Sequence, residues 1–363
     1  MSKVTLRTLA RSLGLAEGTV SRALNGYPDI SEATRRRVRE AADASGYRPS
    51  STARQLARGV CETAVYLMPS GDQLISQPFT GHLLSGLSET LSASGWNLRV
   101  EQLGHGDEAD AVQHLAASGE VGGMILSRPM KGDRRIQALR EAHLPFVVHG
   151  RSLDHDDYAW FDVDGHYAFV EAVDHLVALG HARISFVGGP SYYTFVQMRL
   201  DGYRDAVAAN GLVIDDDLIG MGELSDAGGE RVATSLLDTF ADRPDDAPTA
   251  FLCTTDSQAL GALAALRARG LSPGRDVSVI GYDGLPWGRH ANPPLTTMAQ
   301  PQTDAGRRMA EMLLGLVAGG DPKDFQELRR AQLVRRESDG PAPRRVADPA
   351  TVETSIAKPS NGR

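Results

Sequence analysis

Thr19, Ser21, Arg22 and Asn25 fall within one short run, Thr19-Val20-Ser21-Arg22-Ala23-Leu24-Asn25-Gly26. Hydroxyls and an amide can hydrogen-bond phosphate oxygens, and a guanidinium can grip the outer edge of guanine with two parallel N–H groups. That chemistry suits duplex DNA, provided something holds these side chains on one exposed face. A helix over about 17–24 would do so, since Val20 and Leu24 turn inward at helical spacing while Thr19, Ser21, Arg22 and Asn25 stay free to face a groove. Leu6, Leu9, Ala10 and Leu13 mark a preceding helix over 6–13 with Thr5 as its N-cap, and Gly14 centres the turn between the two. Ser31 caps a third helix, whose Val38, Ala41 and Ala42 close the core while Arg35, Arg36, Arg37 and Arg39 lie on or near its outer surface. The layout is a helix-turn-helix headpiece; a small helical bundle with merely solvated arginines is the competing reading.

Charge is segregated along the chain. Residues 1–60 hold eleven Lys or Arg against five Asp or Glu, a net +6, which leaves −14 on the remainder of a chain that totals −8. The basic end can displace counterions from a polyanion, whereas the acidic remainder repels phosphate. The two parts therefore do different jobs.

At 363 residues, with 41% apolar and 23% charged, the chain can bury more than one core. No uninterrupted apolar segment follows Lys3 and Arg7, so neither a signal peptide nor a membrane span is expected and the reading places the protein in the cytoplasm. Cys61 and Cys253 lack metal-ligand spacing, and neither a disulfide, a metal nor a cofactor is expected. From residue 337 to 363 the chain is rich in Pro, Ser, Asp and Arg without apolar periodicity, which predicts a disordered tail.

From residue 60 onward short apolar runs alternate with amphipathic helical patterns. The runs Ala64 to Met68, Met124 to Leu126, Phe146 to Val148, Ile184 to Val187, Ala250 to Cys253 and Val277 to Ile280 look like buried parallel strands. Helices over about 81–94, 168–179, 257–269 and 303–317 lie between them. The fold predicted is two doubly wound α/β lobes with parallel sheets. Such sheets bind ligands beyond the carboxyl ends of their strands, and polar residues follow each run: Ser127-Arg128, His149-Gly150-Arg151, Thr254-Thr255-Asp256 and Tyr282-Asp283 among them. With Phe79, Trp160, Phe161, Tyr192, Tyr193, Phe195 and Trp287 nearby in sequence, polar groups beside aromatic platforms suit a sugar. Loop residues also end strands for plain turn-forming reasons.

Between headpiece and first strand, Pro49 ends the third helix and Ser50 can cap a short helix that stops at Gly59, with Ala53, Leu56 and Ala57 on one side and Arg54 and Arg58 available to phosphates. So short a helix forms only when held. Paired on DNA, two copies could wedge Leu56 into the minor groove; a flexible linker with one incidental leucine is the alternative.

These residues resemble the lactose-repressor (LacI-type) family of bacterial transcription regulators. The likeness runs through Val4-Thr5-Leu6, Thr19 to Gly26, Thr34-Arg35, Gly46-Tyr47-Arg48-Pro49, Ala53-Arg54-Gln55-Leu56, Arg199-Leu200-Asp201-Gly202-Tyr203, Val277 to Asp283 and Pro294-Leu295-Thr296-Thr297. The resemblance implies a headpiece over 1–47, a hinge helix over 48–60, and a two-lobed periplasmic-binding-protein-like core over 61–336. It divides that core into an N-lobe of about 61–161 and 293–322 and a C-lobe of about 162–292 and 323–336. It implies a homodimer on double-stranded operator DNA, with the second helix of each headpiece in the major groove. Glu17, Gly18 and Arg22 match base-reading positions, and Thr5, Thr19, Ser21, Asn25, Ser31 and Thr34 match other DNA-facing ones. Ala53, Leu56 and Ala57 match the hinge contacts. In the core Arg199 and Asp283 match the pair that grips a small carbohydrate effector, with Phe79, Ser127, Arg151, Phe161, Phe195, Thr255 and Gln300 at other effector-binding positions. Arg199 as a helix-start ion-pair residue and Asp283 as a turn former remain open.

Three departures stand out. Ala16 replaces a capping serine, Gly18 has no side chain to read a base, and Ser50 replaces a hinge asparagine. His149-Gly150-Arg151 and Ser127-Arg128-Pro129 resemble a branch that responds to α-glucosides. Two other classes compete: a transport-type solute-binding protein, for which an export signal would be expected and against which the basic headpiece argues, and a sugar-acting enzyme with an appended DNA-binding element. No phosphate loop and no recognisable catalytic set supports the second, so the expectation is that the protein is not an enzyme.

Overall fold

A computed structural model describes residues 4–24, 26–47, 61–68, 78–103 and 107–343, and the chain divides into two compact units, 1–62 and 63–363. In the first unit α1 (Leu6–Leu13), α2 (Glu17–Leu24) and α3 (Glu32–Ser45) enclose a core of Leu9, Ala10, Val20, Ala23, Val38 and Ala42. The helix boundaries of α1 and α2 are those read from periodicity. The predicted hinge helix, with Ala53, Leu56 and Ala57, lies outside the described residues, as does Asn25.

The second unit holds two sheets. The N-lobe sheet contains β1 (Thr63–Met68), β2 (Asn97–Gln102), β3 (Gly123–Ser127), β4 (Phe146–His149), β5 (Ala159–Val163) and, late in the chain, a strand at Gln326–Arg329 beside β5. Its helices include α4 (Pro78–Ala93), α5 (Glu108–Ala117) and α6 (Arg134–Glu141). The C-lobe follows with α7 (Gly165–Ala178), β6 (Ile184–Gly188), α8 (Thr194–Ala209), β7 (Ile219–Met221), α9 (Asp226–Thr239), β8 (Ala250–Cys253), α10 (Asp256–Ala268), β9 (Ser278–Asp283) and β10 (Thr296–Ala299). Then α11 (Gln302–Val317) and β11 (Gln326–Arg329) return to the N-lobe and β12 (Gln332–Val334) to the C-lobe. Strand order is β11-β5-β4-β3-β1-β2 in one sheet and β12-β10-β9-β8-β6-β7 in the other, parallel throughout except where β12 runs antiparallel to β10. β1, β3, β6, β8 and β9 are almost wholly buried, as expected of strands covered by helices on both faces. The two-lobed α/β class predicted from the alternating pattern is the class observed. No helix among the described residues is long and apolar enough to cross a membrane.

The chain crosses between lobes three times, and two crossings differ from the reading by sequence. β10 lies in the C-lobe sheet, although 293–322 was assigned to the N-lobe, and β11 lies in the N-lobe sheet, although 323–336 was assigned to the C-lobe. Both are four-residue strands; β11, Gln-Glu-Leu-Arg, is half exposed, so it carries no apolar run to betray which sheet it joins. The segment after 337 is also ordered up to 343, against the expected tail. The Ser338 hydroxyl donates to Val279 O at 2.6 Å and accepts from Thr296 N at 2.8 Å, and Gly340 N donates to the Ser278 hydroxyl at 3.0 Å. Asp339 pairs with His175 at 2.6 Å. These polar residues lack periodicity because they bind through backbone and buried hydroxyls rather than an apolar face.

Close helix contact sets where α4 places its first turn. A Cβ on Gly86 of α4 would lie 2.1 Å from Thr303 O, and one on Gly306 of α11 would lie 2.2 Å from Leu83 O. Backbone cannot yield as a flexible side chain can. Gly306→Ala should therefore force the helices apart, costing about 1–3 kcal/mol and lowering the thermal midpoint of the core; an unchanged midpoint in a circular dichroism melt would refute this packing.

Candidate functional site

In the headpiece the ends of α1 and α3 are set by local chemistry. Thr5 and Thr8 form a reciprocal cap: Thr8 N donates to the Thr5 hydroxyl at 3.2 Å and Thr5 N to the Thr8 hydroxyl at 2.8 Å. Gly14, at φ 64°, closes α1 in the left-handed region, where a side chain would be strained. Ser31 caps α3 by accepting from Thr34 N at 3.2 Å, and its hydroxyl meets that of Thr34 at 2.8 Å. α2 starts after Ala16, which has no side-chain acceptor to offer its free N–H groups; Thr19 N and Val20 N donate to the Ala16 carbonyl instead.

One face of α2 is exposed through Glu17, Gly18 and Arg22, with Thr19 and Ser21 half-buried beside it. Glu17 makes a loose 3.8 Å pair with Arg7. Arg22 pairs with Asp29 and lies 5.6 Å from the centroid of the Tyr27 ring. A side chain built at Gly18 would meet nothing within 4 Å, so that position faces open space. Two of the four arginines of α3 fasten turns: Arg35 donates to Gly26 O at 3.4 Å and Arg37 to Leu13 O at 3.0 Å.

Between the lobes of the core is a narrow cavity of about 80 Å³. Seven of the nine sequence-predicted effector residues line it: Phe79, Ser127, Phe195, Arg199, Thr255, Asp283 and Gln300. Most stand at or just past the carboxyl ends of strands, as the doubly wound topology dictates. Arg199, 6% exposed on α8, donates to Thr254 O and holds its guanidinium 3.6 Å from the Tyr282 ring centroid and 4.7 Å from that of Phe195. Its Nε is buried without a hydrogen-bond partner. Asp283 closes β9 at φ 125°, a backbone region that side-chain-bearing residues rarely occupy, and accepts from Gln300 Nε2 at 2.8 Å. Phe79 stacks on His149 with centroids 5.7 Å apart and 12° between planes. Thr255 caps α10, accepting from Gln258 N at 3.2 Å, so it serves the helix as well as the cavity.

Two predicted residues do not line the cavity. Phe161 is 1% exposed within the core, its ring centroid 6.5 Å from that of His149, because its neighbour Asp162 is the residue that reaches the cavity. Arg151 lies outside and braces that neighbour, donating Nε to Asp162 at 2.8 Å while its guanidinium covers the Trp160 ring at 5.1 Å. Arg128, Pro129, His149 and Gly150 also line the cavity, named by sequence among the strand-end loops but not assigned to the effector, whereas Tyr66, Thr80, Asp162 and Val163 were not singled out at all. Arg128-Pro129 and His149 follow β3 and end β4, so the strand-end rule carried a usable signal; Asp162, inside a strand that was not recognised, gave none.

Burial governs protonation here. It pushes the Asp283 carboxyl up to about 6, against the pull of Arg199, Gln300 and Arg128. Asp256 is buried beside it, accepting from Leu285 N and the Thr297 hydroxyl at 2.6 Å each, and burial together with Asp283 raises its carboxyl to about 8. Burial drives His149 down to about 4, with Arg128 and Arg199 adding to the effect, so its ring stays neutral near pH 7. Across the mouth, the buried Thr194 hydroxyl donates to Pro129 O at 3.0 Å and Arg151 O at 2.7 Å, tying the start of α8 to two N-lobe loops. Among the described residues no group of His, Cys, Asp and Glu could hold a metal ion.

Comparison with known proteins places both units. Residues 5–50 match the family model described as bacterial regulatory proteins, lacI family, and residues 173–338 match the periplasmic binding protein-like domain. Over 346 residues, 94% of this chain and 96% of the relative, it is 39% identical to the HTH-type transcriptional regulator AglR of Rhizobium meliloti (strain 1021). The chain belongs to the LacI family of bacterial regulators. Among solved structures this LacI-family regulator is similar to the transcriptional regulator CelR–cellobiose complex, with TM-score 0.71 and 30% identity over 92% of this chain and 99% of that one. It is similar also to the lac repressor dimer bound to operator and the anti-inducer ONPF, with TM-score 0.79 and 26% identity over 93% and 100%. The function read from the sequence, a helix-turn-helix transcriptional regulator, is thereby borne out.

Asp256 and Asp283 bind protons more tightly in the folded chain than in the unfolded one. The unfolded chain therefore holds fewer protons across the window from about 4 to about 8, and stability falls as pH rises through it. Asp256→Asn keeps an acceptor for Leu285 N and offers N–H groups to Thr297. The variant should show a shallower fall of thermal midpoint than wild type between pH 6 and 9; parallel curves would contradict the assignment.

Proposed function

We propose that this regulator is a homodimeric, sugar-controlled repressor of carbohydrate-utilisation genes, acting on operator DNA in the cytoplasm. In this reading α2 of each headpiece enters the major groove, where Arg22 reads a guanine and Glu17 a neighbouring base. Gly18 leaves its position to neighbours or to DNA shape. Thr5, Thr19, Ser21, Asn25, Ser31 and Thr34 fix the headpiece on the backbone, and Ala53, Leu56 and Ala57 of the hinge meet the minor groove.

The observation that carries the reading is the cavity itself. A sugar needs hydrogen-bonding groups around its rim and flat apolar surfaces against its ring faces. Arg199, Asp283, Asp162, Gln300 and Ser127 supply the first, and the stacked Phe79 and His149 with Phe195 supply the second. The likeness to a cellobiose-bound regulator supports a glucose-containing oligosaccharide, and the loops Ser127-Arg128-Pro129 and His149-Gly150-Arg151 favour an α-glucoside. A ligand touching both lobes shifts the equilibrium between lobe arrangements only by its differential affinity for them, and a coupling of about 1–3 kcal/mol changes operator affinity roughly five- to 150-fold.

Operator duplexes recovered by genomic selection, titrated by fluorescence anisotropy with and without maltose, trehalose, sucrose and cellobiose, test this directly. One or more α-glucosides should shift operator affinity by at least about fivefold, and Arg199→Ala should abolish the shift without altering affinity in the absence of sugar. Unchanged affinity with every sugar at concentrations that saturate the core would overturn the proposal.

A further inference from the structure

The recognition helix does not present Arg22 alone. Gly26, at φ 75°, reverses the chain after α2, and Tyr27 N donates back to Arg22 O at 3.1 Å. Ile30 N then bonds Tyr27 O at 3.2 Å, so the loop returns as a fixed turn. That turn sets the Asp29 carboxylate on Arg22 Nη2 and the Tyr27 ring 5.6 Å from the guanidinium. Arg22 is 53% and Asp29 45% exposed, so both stand where a duplex could reach them.

We propose that Asp29 is a positioning residue for Arg22 that sharpens base discrimination while weakening binding to DNA in general; this rests on Arg22 reading a base. A guanidinium carries five N–H donors, and one carboxylate contact leaves most of them for the N7 and O6 of guanine. Held by Asp29 and flanked by Tyr27, the side chain has already lost the rotamer freedom that an unpaired arginine would lose on binding. A duplex that offers guanine takes up the remaining donors. A duplex that does not must attract Arg22 toward phosphate, and there Asp29 competes for the same charge and repels the backbone. Specificity is the difference between these two affinities, so one carboxylate lowers both and lowers the wrong one more. Exposed ion pairs contribute little to stability, so the carboxylate can be removed with the headpiece intact.

The test uses the full chain with its selected operator, duplexes carrying single changes in each half-site, and a random duplex, each titrated across a salt series. Asp29→Asn should bind the random duplex more tightly and steepen the log–log salt dependence by about 0.9 per headpiece as Arg22 becomes free for phosphate. Discrimination at one base pair per half-site should fall about three- to tenfold, a part of what a bidentate contact supplies. Asp29→Glu, which keeps the charge, should retain most of the discrimination. If Asp29→Asn leaves the ratio and salt slope unchanged, or weakens every duplex equally with a lowered headpiece melting point, Asp29 is structural and the inference fails. In a separate arm, Arg22→Ala should erase preference at the same base pair; preference surviving there would overturn the base-reading role of Arg22 itself, and with it this inference.

Discussion

An incompletely neutralised pair of buried groups governs the core. Arg199 is a guanidinium only 6% exposed, and Asp283 is buried deeply enough that its ionisation is costly. Among the described residues no salt bridge joins them: Arg199 gives one N–H to Thr254 O and lies over Tyr282, and Asp283 takes the amide of Gln300. Groups left in this state gain from a ligand rich in hydroxyls, which can donate to the carboxylate and accept from the guanidinium at once. The strained backbone at Asp283 and the orphaned Nε of Arg199 both fit a site organised for something other than its own stability.

The surrounding architecture makes that ligand a lever. Arg199 and Asp283 belong to the C-lobe, Phe79, Ser127, His149 and Asp162 to the N-lobe, and three crossings, between β5 and α7, β10 and α11, and β11 and β12, join the lobes. Thr194 already ties α8 to both N-lobe loops at the mouth, and the glycine contact between α4 and α11 fixes the helix that carries Phe79. Loops held at both ends have few ways to accommodate a ligand other than by moving with their lobe. In the headpiece, by contrast, capping threonines and serines and turn-forming glycines set a small rigid surface whose chemistry rests on a handful of side chains.

How much of this was legible in the sequence depends on which physical signal each residue carries. Helical periodicity gave α1 and α2 their observed bounds, with the Thr5 cap marking the start of α1, because Leu9, Ala10, Val20 and Ala23 have to meet one another in so small a core. Buried parallel strands such as β8 announced themselves as apolar runs. Exposed or mixed strands, β2, β7 and β11, did not, and the misplacement of β10 and β11 shifted the lobe boundaries. Phe161 and Asp162 illustrate the same limit at the scale of one residue: without knowing the strand, period-two alternation cannot say which of them reaches the cavity. The path of buried Ser338 and half-buried Gly340 was hidden because hydroxyl and backbone hydrogen bonds leave no hydropathy trace.

The most direct measurement is calorimetric titration of the purified chain with maltose, trehalose, sucrose and cellobiose, near pH 6 in two buffers of different ionisation enthalpy. If sugar hydroxyls complete the Asp283 carboxylate, binding should expel a fraction of a proton, which disappears in Asp283→Asn. Binding with no proton exchange at that pH, or with the same exchange in the variant, would contradict the role assigned to this buried pair.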